Sequence, residues 1–171
     1  MEIAFSDVTE DGLSLTIDND GWFPHEEIGL TAPVECSIVV KKIDNDSVKV
    51  TGEMKYVTQS TCDKCCRDFE QQINLDFNYD CTVREDETAS SQDSECTEEN
   101  YEKLFLEGPV VDIDAILREQ AILGLPVRNI CSSSCLGLCL GCGADLDAQK
   151  CQCGEQEKPS PFSVLKHLKG R

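Results

Sequence analysis

Three segments between residues 34 and 83 alternate apolar and polar side chains with a period of two. Their apolar positions are, in chain order, Val34, Cys36, Ile38 and Val40, then Val48, Val50, Met54 and Tyr56, then Ile73, Leu75, Phe77, Tyr79, Cys81 and Val83. A period of two is typical of half-buried strands. The turn cluster Asp44-Asn45-Asp46 separates the first two segments and predicts a hairpin. The three segments together predict an antiparallel meander or partly open barrel with one solvent-exposed face.

A shorter alternating run, Leu13–Ile17, precedes these strands and ends in the turn-forming residues Asp18-Asn19-Asp20-Gly21. Trp22 and Phe23 follow beside Pro24. We expect the two rings to cap the core, with stacking on a nucleic-acid base as the alternative interpretation.

One helix is predicted over residues 112–125. Asp112 is a suitable N-terminal cap, and Gly124 with Pro126 ends the helix. Apolar residues follow at helical spacing: Ile113, Ile116, Leu117 and Ala121. Further apolar residues at its end, Ile122, Leu123 and Leu125, predict that this end is buried. A second helix is predicted from Ser160-Pro161, with Phe162, Leu165 and Leu168 on one side, and a frayed tail is the alternative.

Residues 85–100 are acidic, rich in serine and almost without large apolar side chains, which predicts a flexible loop or, alternatively, a binding segment. The predicted fold class is therefore α+β. A β-rich domain over residues 1–126 carries this loop and the helix. A small cysteine-rich, zinc-ribbon-like module with a C-terminal helix follows over residues 127–171.

Fifteen basic residues stand against 33 acidic ones, so the formal net charge of the 171-residue chain is −18. Such a field repels phosphate backbones unless the basic residues gather on one face. Only the last residues, 166–171, form a net basic tip. Direct RNA contact is therefore disfavoured, and a protein partner is expected instead. The chain shows neither an apolar run long enough to span a membrane nor a leader sequence, which predicts a cytosolic protein.

The chain contains twelve cysteines, which can form disulfides, bind metal or pack as reduced thiols in the core. The expected cytosolic location favours metal binding over disulfides. Eight of them form close-spaced pairs: Cys62 and Cys65, Cys131 and Cys135, Cys139 and Cys142, and Cys151 and Cys153. Zinc takes four ligands in a tetrahedron, and two thiolates separated by two residues can hold it from one tight turn. Gly143 directly after Cys142 permits the sharp return of such a turn. The last two pairs therefore predict one compact zinc site.

The first pair lies between two predicted strands and supplies only half of a zinc shell. Cys131 and Cys135 can complete a second site, so one or two structural Zn²⁺ ions are expected. A competing arrangement joins Cys135, Cys139, Cys142 and Cys153 in one site and leaves the other cysteines free. Cys66 is an alternative ligand to Cys65. Because a shell of four thiolates leaves no open position, these sites predict a scaffold rather than a catalyst.

Enzyme motifs are missing from the sequence. It contains no Gly-rich phosphate loop and no serine nucleophile elbow, and its two histidines offer little for acid–base chemistry. We therefore do not expect an enzyme. A thiol redox protein is the remaining catalytic alternative, and it requires that Cys62 or Cys65 be free of metal.

The order of these motifs resembles that of the YceD family. The run CLGLCLGCGADL at residues 135–146 is similar to the family's C-x-G-L-C-x-x-C-G-x-x-L, and KPSPFSVL at residues 158–165 is similar to its closing segment. The helix end EQAILGLP at residues 119–126 and the earlier Cys-x-x-Cys also match, so the resemblance covers roughly residues 35 to 171. Asp147 stands where the family often has asparagine and Lys64 where it often has arginine, which removes no candidate ligand.

The resemblance implies a protein that supports the synthesis, processing or accumulation of large-subunit ribosomal RNA, that is, ribosome biogenesis, in bacteria or chloroplasts. It implies no reaction. Some family members lack the later cysteines and retain the first pair, which implies two separable metal sites. The expected role is that of a zinc-stabilised adaptor acting through a protein partner. A direct RNA-binding zinc module that uses residues 166–171 is the second hypothesis. A bacterial cytoplasm is the expected location, with the plastid stroma as the alternative.

Overall fold

The computed structural model describes residues 1–83, 103–151 and 153. The predicted acidic loop 85–100 lies outside them, and so does the predicted C-terminal helix from residue 160. Seven strands and one α-helix are present in the described residues. They are β1 (Glu2–Ala4), β2 (Leu13–Ile17), β3 (Glu35–Lys42), β4 (Ser47–Thr61), β5 (Asp68–Val83), β6 (Lys103–Leu106), β7 (Val110–Asp112) and α1 (Ile113–Leu123).

A five-stranded sheet has the order β2-β3-β4-β5-β6, so the four predicted strands lie side by side in chain order. The pairs β2/β3 and β3/β4 are antiparallel, and the β3–β4 hairpin turns at the predicted Asp44-Asn45-Asp46 cluster. β6 pairs parallel to β5, which makes the sheet mixed rather than a pure antiparallel meander. β1 and β7 form a separate antiparallel pair. The predicted α+β class is confirmed.

The alternating apolar positions face the core. Met54 and Val50 on β4 and Ile38 and Val40 on β3 are almost completely buried, as a strand with one wet face requires. Phe77 on β5 packs its ring against Gly52, where an added Cβ would overlap the ring carbon Cζ. Gly52 therefore leaves the space that the phenyl ring occupies.

Helix α1 begins where the sequence predicted, with the Asp112 carboxylate accepting a hydrogen bond from the Ala115 backbone N–H at 3.3 Å. Its buried stripe consists of Ile113, Ile116, Leu117 and Ala121. The buried Tyr56 hydroxyl donates a 2.5 Å hydrogen bond to the Ala121 carbonyl.

The prediction that the end of α1 is buried was wrong for two of its three apolar residues. Ile122 is 43% exposed and Leu123 is 64% exposed, whereas Leu125 packs partly buried against the core. Both exposed residues lie off the helical stripe that continues from Leu117 and Ala121, so their side chains point away from the sheet.

Trp22 and Phe23 are both buried, as expected for rings that close a core rather than stack on a base. The Trp22 indole N–H donates to the Asn19 carbonyl at 2.8 Å. No helix within the described residues is both long and apolar enough to cross a membrane.

The chain divides into two compact units. The first comprises Met1–Ser60 and Phe69–Arg128, and the second comprises Thr61–Asp68 and Asn129–Arg171. The sequence placed a domain boundary between residues 126 and 127, and that boundary stays a prediction. The structure additionally groups residues 61–68, which connect β4 to β5, with the cysteine-rich segment.

Candidate metal centres

A tight turn joins β4 to β5 and carries the first cysteine pair. The backbone N–H of Cys62 donates to the Arg67 carbonyl at 2.8 Å, and the N–H of Cys66 donates to the Cys62 carbonyl at 2.9 Å. Cys66 has a φ of 58°, in the left-handed region that residues other than glycine rarely adopt. These bonds bring Cys62 and Cys65 to the same side of the turn.

The turn around Cys139 and Cys142 repeats the same backbone pattern. The N–H of Cys139 donates to the Ala144 carbonyl at 2.8 Å, and the N–H of Gly143 donates to the Cys139 carbonyl at 2.8 Å. Gly143 has a φ of 73° and takes the place that Cys66 holds in the first turn. The sharp return predicted at Gly143 is therefore confirmed. We call the two turns knuckle 1 (residues 62–67) and knuckle 2 (residues 139–144).

Knuckle 1 meets Cys131 and Cys135 in what we call site 1. The sulfur of Cys62 lies 3.9 Å from that of Cys135, and the sulfur of Cys65 lies 3.7 Å from that of Cys131. A disulfide bond is far shorter, about 2.05 Å. Four sulfurs each about 2.3 Å from one tetrahedral ion are separated by roughly 3.8 Å, which matches both distances. Three of the four cysteines are buried and Cys131 is partly buried.

Knuckle 2 meets Cys151 and Cys153 in what we call site 2. The sulfur of Cys151 lies 3.1 Å from that of Cys139 and 3.4 Å from that of Cys142. All four sulfurs of each site lie within 4.8 Å of one another. Cys142 and Cys153 are exposed, so site 2 is the more accessible of the two.

These groupings match the predicted pairing and not the competing arrangement, because Cys135 lies in site 1 and apart from knuckle 2. Among the other described cysteines, Cys66 is exposed and outside site 1, while Cys36 and Cys81 are buried on their strands. Cys96 lies outside the described residues. That the eight grouped cysteines ligate a metal stays a prediction.

Backbone N–H groups favour thiolates in both sites. The N–H of Cys131 donates to the Cys62 sulfur at 3.4 Å and is the main reason that the pKa of Cys62 falls to about 6. In site 2 a hydrogen bond from the Cys151 thiol, helped by backbone N–H groups, lowers the pKa of Cys139 to about 6. Burial raises the pKa of Cys135 to about 12. Without a cation, only some of the four thiols in each site can be deprotonated, because neighbouring thiolates repel one another. A soft divalent ion favours deprotonation of all four.

The second unit has almost no apolar core among its described residues. Its only buried side chains there are those of Cys62, Cys65 and Cys135, since Gly137 has none. Small domains with so little buried apolar surface usually depend on disulfides or a metal for stability. The sulfur clusters are therefore the main feature that can hold the described part of this unit together.

Several contacts outside the sulfur clusters were missed by sequence reasoning. The Arg67 Nε donates to the Cys65 sulfur at 3.4 Å, and the Lys64 ammonium donates to the Cys135 carbonyl at 3.0 Å. Asp147, noted in the sequence only as a departure from a family pattern, accepts a hydrogen bond from the Arg67 guanidinium at 3.1 Å. The available signal was a basic residue inside Cys-x-x-Cys, Lys64, and another two residues after it, Arg67, because thiolates attract nearby cations.

An open groove of about 1470 Å³ lies in the second unit. Its apolar lining includes Leu138 and Leu146, together with Leu136 and Leu140, which are 67% and 105% exposed. Lys64 and Lys150 also line it. These leucines line one groove, and apolar residues grouped in an exposed groove are a feature that interaction surfaces share.

Comparison with known proteins gives one family match. The model of the family described as "Large ribosomal RNA subunit accumulation protein YceD" matches residues 50–169, which include all eight clustered cysteines. The Arabidopsis thaliana "Large ribosomal RNA subunit accumulation protein YCED homolog 1, chloroplastic" is 39% identical over 59 residues. That alignment covers 34% of this chain and 18% of the relative's length. No solved structure matches the chain.

Proposed function

The chain belongs to the YceD family, and from this premise we propose that it is a non-catalytic, zinc-stabilised factor that supports accumulation of large-subunit ribosomal RNA. The observation that carries the proposal is the gathering of eight cysteine sulfurs into two groups of four. The family description and the name of the Arabidopsis relative supply the link to large-subunit RNA.

Zinc is the metal that the donor set favours. Four cysteine thiolates in a tetrahedron bind Zn²⁺ or an iron centre, and zinc is the usual ion in small structural sites. The ligands of site 1 would be Cys62, Cys65, Cys131 and Cys135, and those of site 2 would be Cys139, Cys142, Cys151 and Cys153. Each ion would neutralise half of its thiolate charge and hold distant segments together. A complete shell offers no position for substrate or activated water, which supports a role other than catalysis.

The partner of this factor is proposed to be a basic protein of ribosome assembly. The first unit carries twenty-seven acidic and only eight basic residues, whereas the second carries six acidic and seven basic ones. A strongly acidic surface attracts basic proteins and repels RNA. The apolar groove with Leu136 and Leu140 gives such a protein an additional contact.

Metal content tests the structural half of the proposal. Protein purified under reducing conditions should contain two zinc ions per chain, and Cys62→Ser and Cys142→Ser should each contain one. Cys66→Ser is the matched control, because Cys66 neighbours a ligand and lies outside both groups, so it should retain two. A wild-type chain that is folded and free of metal would refute this half.

Complementation tests the biological half. A line that lacks the gene should show a reduced ratio of large-subunit to small-subunit ribosomal RNA, restored by wild type and by Cys66→Ser. The double variant Cys62→Ser/Cys142→Ser should not restore it. An unchanged RNA ratio in the line without the gene would reject the proposed role.

Crosslinking in the complemented line separates the possible partners. The proposal expects basic ribosome-assembly proteins to crosslink to the chain, and fewer to do so in Leu136→Ser/Leu140→Ser. Salt-dependent RNA binding that is lost on removal of residues 166–171 would instead support direct RNA recognition. The chloroplastic relative supports the plastid alternative for the compartment, and fractionation of the native tissue or cells would decide it.

A further inference from the structure

Arg67 lies at the end of knuckle 1 and contacts both that knuckle and the segment that carries knuckle 2. Its Nε lies 3.4 Å from the Cys65 sulfur. The same guanidinium lies 3.1 Å from the Asp147 carboxylate, through Nη2, and 3.5 Å from the Asp145 carboxylate, through Nε. One cation thus touches a thiol of site 1 and two carboxylates of the segment between Cys142 and Cys151.

The two aspartates are fixed to the backbone around knuckle 2. Asp147 accepts the Leu136 N–H at 3.0 Å, and Asp145 accepts the Asp147 N–H at 3.0 Å. Leu138 pairs with Asp145 in an isolated antiparallel bridge. Ala144, the residue before Asp145, accepts a hydrogen bond from the Cys139 N–H. The backbone that positions the aspartates is therefore the same backbone that closes knuckle 2.

A backbone contact supports the same connection. The Lys64 carbonyl, inside knuckle 1, accepts the Leu138 N–H at 2.9 Å. Gly137 has a φ of 81°, and a Cβ there would lie 2.8 Å from that carbonyl oxygen. The chain can therefore approach knuckle 1 this closely only with glycine at this position.

We propose that Arg67 is a positioning residue that couples the two metal sites, so that filling either site raises the zinc affinity of the other. A metal in site 1 holds knuckle 1 and thereby the Arg67 guanidinium. The guanidinium then orders the aspartates and knuckle 2. Less conformational entropy is therefore lost when site 2 binds its metal. The cation also offsets part of the negative charge that site 1 retains, so a filled site 1 repels the thiolates of site 2 less.

This inference rests on the proposed zinc binding and extends it. An exposed ion pair alone contributes little, and the Arg67 side chain is 54% exposed. The proposal differs from an isolated surface pair because Arg67 also donates to a ligand sulfur. Hydrogen-bonding partners of ligands commonly change metal affinity by about ten- to a hundredfold.

Metal titration of chains with one disabled site measures the coupling. Cys142→Ser/Cys153→Ser leaves only site 1, and Cys62→Ser/Cys135→Ser leaves only site 2. Zinc affinity is measured by competition with a chromophoric chelator. The coupling factor is the ratio of the dissociation constant of a site in the single-site chain to its dissociation constant when the other site is filled. Coupling is reciprocal, so both sites should give the same factor, expected to be about fivefold or more.

Arg67 variants then test the assignment. Arg67→Gln should reduce the coupling factor towards one, and Asp147→Asn in the same chain should reduce it no further. The asparagine side chain retains an oxygen for the Leu136 N–H, so this change mainly weakens the ion pair. Arg67→Lys should retain part of the coupling, since it keeps the charge but not the forked donor. Arg128→Gln, which removes the same charge from an exposed position of the first unit, should leave the factor unchanged.

Cobalt substitution supplies a readout that loss of fold would not imitate. In the chain that keeps only site 1, the thiolate-to-cobalt absorption band should shift in Arg67→Gln, because the Cys65 sulfur loses its hydrogen-bond donor. The spectrum should still be that of cobalt with four thiolate ligands. Equal coupling factors in wild type and Arg67→Gln would overturn the inference, and so would two sites that fill independently. Either result leaves the zinc proposal intact, whereas failure of both sites to bind metal would overturn both proposals.

Discussion

The sulfur atoms of Cys62 and Cys135 lie 3.9 Å apart, although 73 residues separate the two cysteines in the chain. A metal ion at this point would close a long loop and would remove conformational freedom from the unfolded chain. The residues of the second unit that the structure describes otherwise bury little apart from cysteine side chains. Its stability is therefore expected to depend on the two sulfur clusters.

Metal removal should unfold the second unit and leave the first unit folded. A strong chelator under reducing conditions is expected to collapse the amide signals of residues 129–151 in two-dimensional NMR. Signals from β3, β4 and the core contact of Tyr56 with Ala121 should persist, because the first unit has its own apolar core. Adding zinc back should restore the spectrum. Retention of dispersed signals for residues 129–151 without metal would contradict the prediction.

Replacement of Cys66 should distinguish it from its neighbour Cys65. Its φ of 58° costs a residue with a side chain roughly 1–2 kcal/mol. Glycine loses more chain entropy on folding, by up to about 1 kcal/mol. Cys66→Gly is therefore expected to be neutral or to stabilise the protein by up to about 1 kcal/mol, measured by urea unfolding with zinc present.

Two further variants bracket the Cys66 prediction. Cys66→Val should destabilise the protein, because β-branched side chains tolerate the left-handed region poorly. Cys65→Ser should lose one zinc ion while Cys66→Gly keeps both. Loss of zinc from Cys66→Gly would show that Cys66, and not Cys65, completes the site.

Gly52→Ala should destabilise the first unit by about 1–3 kcal/mol, as overpacking of a core commonly does. The added methyl group would overlap the ring of Phe77, which is buried and has little room to move. Gly21→Ala is the matched control, because nothing lies within 4 Å of its added Cβ, and its effect should stay within about 0.5 kcal/mol. Equal stability of the two variants in urea unfolding would rule out the close contact between Gly52 and Phe77.

Alkaline pH should weaken the first unit through its buried thiols. Burial raises the pKa of Cys81 from 9.0 to about 11. The folded state therefore holds the thiol proton when the unfolded state has already lost it. The contribution of this thiol to stability is complete below pH 9 and is lost as the pH rises to about 11.

Comparison of variants isolates the contribution of Cys81. Between about pH 8 and pH 11 the unfolding free energy of wild type should fall more than that of Cys81→Ala, by roughly 2 kcal/mol. Cys66→Ala, which removes an exposed thiol, should follow the wild-type dependence. Parallel curves for wild type and Cys81→Ala would contradict a raised pKa at this residue.

The local sequence pattern was sufficient to predict much of the secondary structure of this protein. Alternation along β3, β4 and β5 defined their buried faces, because side-chain direction in a strand follows sequence spacing alone. The Asp112 cap was equally local, since it involves a carboxylate and an N–H three residues away. The prediction for the end of α1 was wrong because the exposure of Ile122 and Leu123 depends on what packs beside the helix and not on their hydrophobicity.

The sequence by itself determined strands β2 to β5, the start of the helix and the two knuckles, because each follows from side-chain periodicity or from contacts within a few residues. Only the tertiary structure decided which cysteine pairs meet, since the competing arrangement with Cys135 beside Cys139 satisfied the same spacing rules. It also decided that the Arg67 guanidinium reaches Asp147, 80 residues along the chain. Long-range contacts of this kind depend on the path of the whole chain between them, and spacing within a motif carries no information about that path.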